Sequence, residues 1–331
     1  MNFESIGVIG AGSWGTALAL ALHWKGQPVT ICGHDAEHIA DMRLKAENTT
    51  YLPGIKLPDS LKLTASLDDL KACDLILLVT PSKALREVSS LLFAMEPRKD
   101  AVLLSCTKGV ERGSGKRMSE IVAEYFPENP IAVLSGPSHA EEVARKKPTC
   151  VVLGCTIETV SKRLQKAFSS SFFRGYTSDD VAGIELGGAL KNIFALAAGV
   201  SDGIKLGDNA KAALVTRGLV EISRVGLALG GRRETFMGLS GIGDLMVTCF
   251  SQHSRNRAVG ERLGRGERLA DIIASMHMVA EGVPTTYSAY ECARKFDLET
   301  PIIDQIKHIL DGSVSAKEAI TRLFERDLKP E

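Results

Sequence analysis

Two halves of different texture are predicted, an α/β N-terminal domain on a doubly wound, mostly parallel sheet and an all-α C-terminal domain. Three observations carry this. Through the first half, short β-rich runs alternate with longer helical patterns, which is the signature of strands joined by helical crossovers. Near residues 178–182 the Val, Ile and Thr runs give way to long Ala/Leu/Gly patterns at helical spacing. The chain, at 331 residues, is also longer than one ordinary domain and suits two. The boundary is therefore expected at 180/181, with domains 1–180 and 181–331.

The elements follow in order. Strands are expected at Ile6–Ile9, Val29–Cys32, Leu75–Val79, Val102–Cys106, Ile131–Leu134 and Cys150–Leu153. Helices are expected at Trp14–Lys25, Ala36–Lys45, Lys83–Phe93 and Lys116–Tyr125. Strands buried on both faces read as unbroken apolar runs, as Leu75-Ile76-Leu77-Leu78-Val79 does. In the second half Asp179 or Asp180 could cap one helix and Asn209 another. Thr300-Pro301 and Ser315 look like later helix starts.

Composition narrows the function. Apolar residues make up 44% of the chain, enough for a sizeable core and too many for a disordered chain. Forty Lys and Arg balance forty Asp and Glu, which argues against nucleic acid as the main partner. No stretch reaches the ~18 apolar residues of a membrane helix; the most tempting, Leu186 to Val200, contains Lys191 and Asn192. The N-terminus has no basic leader and does not read as a signal peptide. Seven cysteines, an odd number without a CxxC, mostly sit in apolar runs. A reduced, cytoplasmic chain without a metal site is expected.

The first motif is Gly10-Ala11-Gly12-Ser13-Trp14-Gly15, a G-x-G-x-x-G that follows a strand-like run and opens a helix. In that context Gly10 permits a tight turn, Gly12 leaves room for a pyrophosphate, and Gly15 lets helix and strand pack closely. The helix N-terminus then offers free N–H groups to the anion. A Rossmann-like dinucleotide fold usually places an acid at the end of its second strand, on the adenine ribose. Here the segment reads Gly33-His34-Asp35. An acid there repels a 2′-phosphate, whereas a histidine tolerates or binds one. NADP stands beside NAD, with a slight lean to NADP. The other reading is that His34-Asp35 only begins the next helix.

Ligands of open α/β sheets sit beyond the carboxyl ends of the strands. Those ends run into Thr80-Pro81-Ser82, Thr107-Lys108-Gly109 and Ser135-Gly136-Pro137-Ser138. Lys108 could anchor a small anion or be a solvated loop residue; Ser138 could face a ligand or cap the helix after it. In the helical half, Lys191 shares its helix face with Gly187, Gly188, Ala195 and Ala198. A cation among such small neighbours has little aliphatic cover, and desolvating an ammonium lowers its pKa toward the range of a proton shuttle. Alternatively it snorkels to water or pairs with Glu185. Asp244 and Thr248 lie one helical turn apart. Ser254 is expected to cap a helix Arg255–Leu263, whose start, with Arg255 and Asn256, suits a phosphate monoester.

Taken together, Gly10 to Ala19, Thr107-Lys-Gly109, Ser135-Gly-Pro-Ser138, Glu185 to Asn192, Thr216-Arg-Gly218, Gly241 to Leu245, Ser254-Arg-Asn256 and Glu281-Gly282 resemble the bacterial-type NAD(P)-dependent glycerol-3-phosphate dehydrogenases. The resemblance spans nearly the whole chain. It implies reversible interconversion of dihydroxyacetone phosphate and sn-glycerol 3-phosphate, supplying glycerophospholipid synthesis, by a cytoplasmic homodimer. It implies that Lys191 is the general acid–base, and that Lys108, Gly136, Ser138, Lys191, Asp244, Ser254, Arg255 and Asn256 contact the substrate. It implies cofactor contacts from Ser13, Trp14, His34, Lys108, Ala140, Arg255, Val279 and Glu281, beside Gly10, Gly12 and Gly15 of the turn. His139 and Gly175 depart from the family pattern, which more usually has an aromatic and an aliphatic residue there. Two rivals remain on the residues alone: a two-domain dehydrogenase of a hydroxy acid such as 6-phosphogluconate, and a non-catalytic dinucleotide sensor.

Overall fold

A computed structural model describes residues 3–276 and 278–328. Contacts divide the chain into two compact units. The first comprises Met1–Lys108 and Lys116–Glu185, the second Gly109–Gly115 and Leu186–Glu331.

The first unit is a sheet of eight strands: β1 (Ile6–Ile9), β2 (Val29–Cys32), β3 (Lys62–Thr64), β4 (Leu75–Leu78), β5 (Val102–Ser105), β6 (Ile131–Ser135), β7 (Thr149–Gly154) and β8 (Phe173–Ser178). Their order is β3-β2-β1-β4-β5-β6-β7-β8. Every pair is parallel except β6 with β7. The strand order reverses at β1, beside β4, which is where a doubly wound sheet opens a crevice for a ligand. The helices are α1 (Ser13–His23), α2 (Ala36–Lys45), α3 (Leu85–Ala94), α4 (Met118–Tyr125), α5 (Ala140–Val143) and α6 (Glu158–Phe168).

Burial on both faces explains the apolar runs. In β4, Leu75 and Leu77 join one core cluster, whereas Ile76 and Leu78 join another. Side chains alternate between the faces of a strand, so a strand with two covered faces needs apolar residues at every position. The strand β3 has no such run, because its Lys62 is exposed at the end of the sheet. Gly175 lies on β8, where a Cβ would stand 2.8 Å from Leu153 Cδ1.

Among its described residues, the second unit has only helical elements. They are α7 (Val181–Gly203, whose first turn falls in the first unit), α8 (Asp208–Ala228), α9 (Arg233–Phe236), α10 (Asp244–Phe250), α11 (Arg255–Gly264), α12 (Leu269–Ala274), α13 (Gly282–Lys295), α14 (Pro301–Leu310) and α15 (Ala316–Phe324). A π-helical turn, Leu239–Gly243, leads into α10. The α7 helix is long and apolar enough to cross a membrane, but 89% of its apolar window is buried inside the protein. It is the core helix of this unit.

Three of these helix starts are capped by local side chains. Asp180 Oδ1 accepts from Gly183 N at 2.9 Å, and Ser254 and Ser315 accept from Arg257 N and Glu318 N. Asn209 does not cap α8. That helix begins at Asp208, with Gly207 in the capping position at φ 88°. A positive φ there suits glycine, and the start lies two residues earlier than an Asn209 cap would put it.

Candidate active site

The Gly-rich turn joins β1 to α1. Gly10 sits at φ 122°, and a Cβ on it would stand 2.4 Å from Val79 O. Gly15 packs so closely under the turn that a Cβ would lie 1.9 Å from Gly10 O. Gly12 is the opposite case: a Cβ there would meet no protein atom within 4 Å. The space over Gly12 is therefore kept clear of the protein's own atoms. Gly12 also occupies the capping position of α1 without a side-chain cap, and the first turn of α1 carries no acid. Its free N–H groups and helix dipole meet that space unopposed, as a pyrophosphate requires. Ser13 is buried and Trp14 packs partly against the core.

One residue supporting this turn carries no motif. Asn48 is fully buried, and its Nδ2 donates to Ala11 O at 2.9 Å and to Thr16 Oγ1 at 2.8 Å. It fixes the turn from a segment 32 residues further along the chain than Thr16. Only the fold reveals it.

After β2, His34 is exposed. Asp35 Oδ1 accepts from Glu37 N at 3.0 Å and His38 N at 3.1 Å, capping α2. Asp35 thus begins the next helix, the second of the two readings of this segment. Beyond β5 and β6, Lys108 Nζ donates to Gly136 O at 3.3 Å and Ser138 Oγ donates to the same oxygen at 2.9 Å. These loops bring Lys108, Gly136 and Ser138 together. Gly136 needs its glycine, having φ 136°. Ser138 does not cap the following helix, which starts at Ala140 with His139 in the capping position.

In the second unit Lys191 is buried on α7. Its Nζ donates to Asp244 Oδ1 at 2.6 Å and to Thr248 Oγ1 at 2.6 Å. Thr248 Oγ1 in turn donates to Asp244 O at 2.6 Å. The partner is not Glu185. That carboxylate, also buried, takes Arg117 Nη1 at 2.9 Å and Ser119 N at 2.8 Å within the first unit. Burial pushes the Glu185 carboxyl up, against the pull of Arg117 and Ser119. A buried ammonium needs such a countercharge, because an unpaired ion in the interior is costly.

The next residue on α7 extends the cluster. Asn256 Nδ2 donates to Asn192 Oδ1 at 2.9 Å, and Gly282 N donates to Asn256 Oδ1 at 2.9 Å. The chain of amides ties α7, the start of α11 and the start of α13 into one network. Arg255 Nη1 donates to Val279 O at 3.1 Å, and Glu281 precedes α13 in its capping position. Ser254, Arg255, Asn256, Val279 and Glu281 thereby surround one corner of this unit. Thr248 and Asn192 bond directly to candidate site residues, Lys191 and Asn256. Their signal in the sequence was position: one turn after Asp244, and next to Lys191.

All seven cysteines are free thiols, and burial pushes Cys249, near Lys191, up to about 12. Such a thiol is a poor nucleophile. Among the described residues no group of three or more His, Cys, Asp or Glu side chains could hold a metal ion.

Known proteins match along the whole length. Residues 5–161 match the family model of the NAD-dependent glycerol-3-phosphate dehydrogenase N-terminus, and residues 180–321 match that of its C-terminus. A "Glycerol-3-phosphate dehydrogenase [NAD(P)+]" of Geobacter sp. (strain M21) is 47% identical over 332 residues, covering 99% of each chain. The crystal structure of a glycerol-3-phosphate dehydrogenase from Coxiella burnetii superposes with a TM-score of 0.94 at 40% identity, covering 98% of this chain and 99% of that one. The yeast enzyme from Saccharomyces cerevisiae follows at 0.83 and 27%, covering 98% and 100%.

Proposed function

Since the chain belongs to the NAD-dependent glycerol-3-phosphate dehydrogenase family, we propose that Lys191 is the general acid–base of its reaction. The chain is an NAD(P)-dependent oxidoreductase that interconverts dihydroxyacetone phosphate and sn-glycerol 3-phosphate. The observation that carries the assignment is the buried ammonium of Lys191, held at 2.6 Å by both Asp244 and Thr248.

The residues of the glycine turn fit the cofactor: open space above Gly12, an uncapped helix start and no acid in the first turn. Gly10, Gly12, Ser13, Trp14 and Gly15 would hold the pyrophosphate region, with His34 toward the adenosine. Lys108, Ala140, Arg255, Val279 and Glu281 complete the proposed cofactor contacts. The carboxylate of Asp35 is committed to α2. The exposed imidazole of His34 supports use of NADP as well as NAD. Bound NAD(P)H supplies the hydride.

The protein supplies the rest. Lys191 gives a proton to the C2 oxygen of dihydroxyacetone phosphate as that oxygen gains charge, and takes one back in the reverse direction. Asp244 and Thr248 aim the ammonium, so its orientation is set before substrate binds. Ser254, Arg255 and Asn256 bind the phosphate at the start of α11, where N–H groups, helix dipole and guanidinium add together. Lys108, beside Gly136 and Ser138, adds positive potential for the anionic substrate.

The product is the backbone of glycerophospholipids, and supplying it is the physiological role, in the cytoplasm. The chain acts as a homodimer. Large exposed apolar side chains of the second unit, among them Met237, Met246 and Phe250, support that assembly; light scattering of the purified protein would read it. The decisive assay follows cofactor oxidation with dihydroxyacetone phosphate, run in parallel with NADH and NADPH. Turnover is expected with both. Cofactor binding without turnover would favour a dinucleotide sensor instead, and turnover of 6-phosphogluconate alone would favour the hydroxy-acid rival.

A further inference from the structure

We propose that Gly187 is a positioning residue for proton transfer: its missing side chain lets the π-helical turn Leu239–Gly243 lie against α7, and that contact sets the distance between Asp244 and Lys191. The inference rests on Lys191 being the general acid–base.

Two pairs of residues make the argument. Gly187 and Lys191 are four apart on α7, so they share one face, one turn from each other. Ser240 and Asp244 are likewise four apart, across the π-helical turn and the first residue of α10. The first members of the pairs touch backbone to backbone. The second members form the ion pair at 2.6 Å. These are two rungs of one ladder, and the first rung sets the spacing of the second.

The first rung has no slack. A Cβ on Gly187 would stand 2.6 Å from Ser240 O, 3.1 Å from Ser240 C and 3.3 Å from Gly241 Cα. All three are backbone atoms, so no rotamer change relieves the clash. The turn is also backed from behind. A Cβ on Gly241 would lie 2.0 Å from Phe236 O, and the fully buried ring of Phe236 fills the notch at Gly226, where a Cβ would lie 2.1 Å from its Cζ. The turn is wedged between α7 and Phe236, and an added methyl on α7 must push it away. Moving Ser240 O to ordinary contact takes several tenths of an ångström, and Asp244 travels with it. Hydrogen bonds of 2.6 Å have little tolerance for such a shift, and a misplacement of ~1 Å in a reacting constellation can cost ~10²-fold. The π-helical turn itself is a rare element that concentrates at functional sites.

The experiment is a double-mutant cycle on kcat, using Gly187→Ala and Asp244→Asn in the full-length protein. Thermal melting and the fluorescence of bound NADPH serve as fold controls. If Gly187 acts through Asp244, Gly187→Ala lowers kcat by ~10- to 10²-fold, with the KM for NADPH unchanged. In the Asp244→Asn background the same change then adds less than ~3-fold, because the coupled group is already gone. Equal losses in both backgrounds, or an unchanged kcat in the single variant, overturn the proposal. If Gly187→Ala does not fold, Ile242→Gly loosens the same turn without adding an atom. The same non-additivity with Asp244→Asn is expected, and its absence is again decisive. Lys191→Ala is measured alongside. Should it keep normal turnover, the acid–base assignment fails; should it collapse while the cycle is additive, only the role of Gly187 fails.

Discussion

The two glycine-rich regions of this molecule use the same residue for opposite ends. In the turn after β1, Gly12 leaves a space that no protein atom enters. In the second unit, three glycines leave space that other protein backbone fills: Ser240 O against Gly187, Leu196 O against Gly260, Arg257 O against Gly199. The first kind leaves open space above the turn; the second lets backbone segments approach closely. The contrast teaches that a glycine is read correctly only when what occupies its missing Cβ is known. It also separates the two units, since the first holds the open glycine turn and the second the buried ammonium of Lys191.

That separation can be broken by measurement. The largest effect is expected for Lys191→Ala, with kcat falling ~10²- to 10⁴-fold, as for loss of a general acid. NADPH affinity by fluorescence titration is expected to stay near wild type; normal turnover would remove Lys191 from the chemistry. Next comes Arg255→Ala, which removes a charged partner worth ~1.5–3 kcal/mol. The KM for dihydroxyacetone phosphate should rise by roughly 10- to 10²-fold, and an unchanged KM would contradict the phosphate assignment. Gly12→Ala sharpens the contrast from the other side. Its methyl meets no protein atom, so the melting temperature should hold within a degree or two while cofactor KM rises. A large loss of stability instead would mean that Gly12 serves packing, like the glycines of the second unit.

The smallest effect is on stability. Glu221 on α8 is buried, and its two oxygens accept from Ile302 N at 2.8 Å and Ile303 N at 3.1 Å, capping α14 from another helix. Burial pushes its carboxyl up to about 7, against those two hydrogen bonds. The folded value lies above the unfolded one, so this group's contribution is full below the ordinary carboxyl range and is lost as pH rises through about 7. Urea unfolding of wild type and Glu221→Gln between those limits should show the wild type losing ground by up to roughly 3 kcal/mol. A pH-independent difference would show that Glu221 is ionised throughout.

Much of the first unit was legible because its determinants are local. The strands β1 and β2 and the helix α2 have the limits read from the sequence, since unbroken apolar runs and turn residues mark them directly. The short edge strand β3 and the supporting Asn48 were not legible, because neither depends on its neighbours in the chain. The second unit reversed the proportion. Its helices could be read, but the helix pattern around Lys191 left its partner open between water and Glu185. Glu185, six residues away on the same helix, was the local candidate, and the structure gave that acid to Arg117 and Ser119 instead.

The sequence by itself determined the two textures, the phosphate-cradling turn and the helical start at Ser254, because each arises from residues within a few positions of one another. Only the tertiary structure decided which acid faces Lys191, which amides join α7 to α11 and α13, and how near the π-helical turn comes to α7. Those depend on groups 26 to 64 residues apart, brought together by burial. No local pattern encodes a distance between segments that meet only after the core has formed.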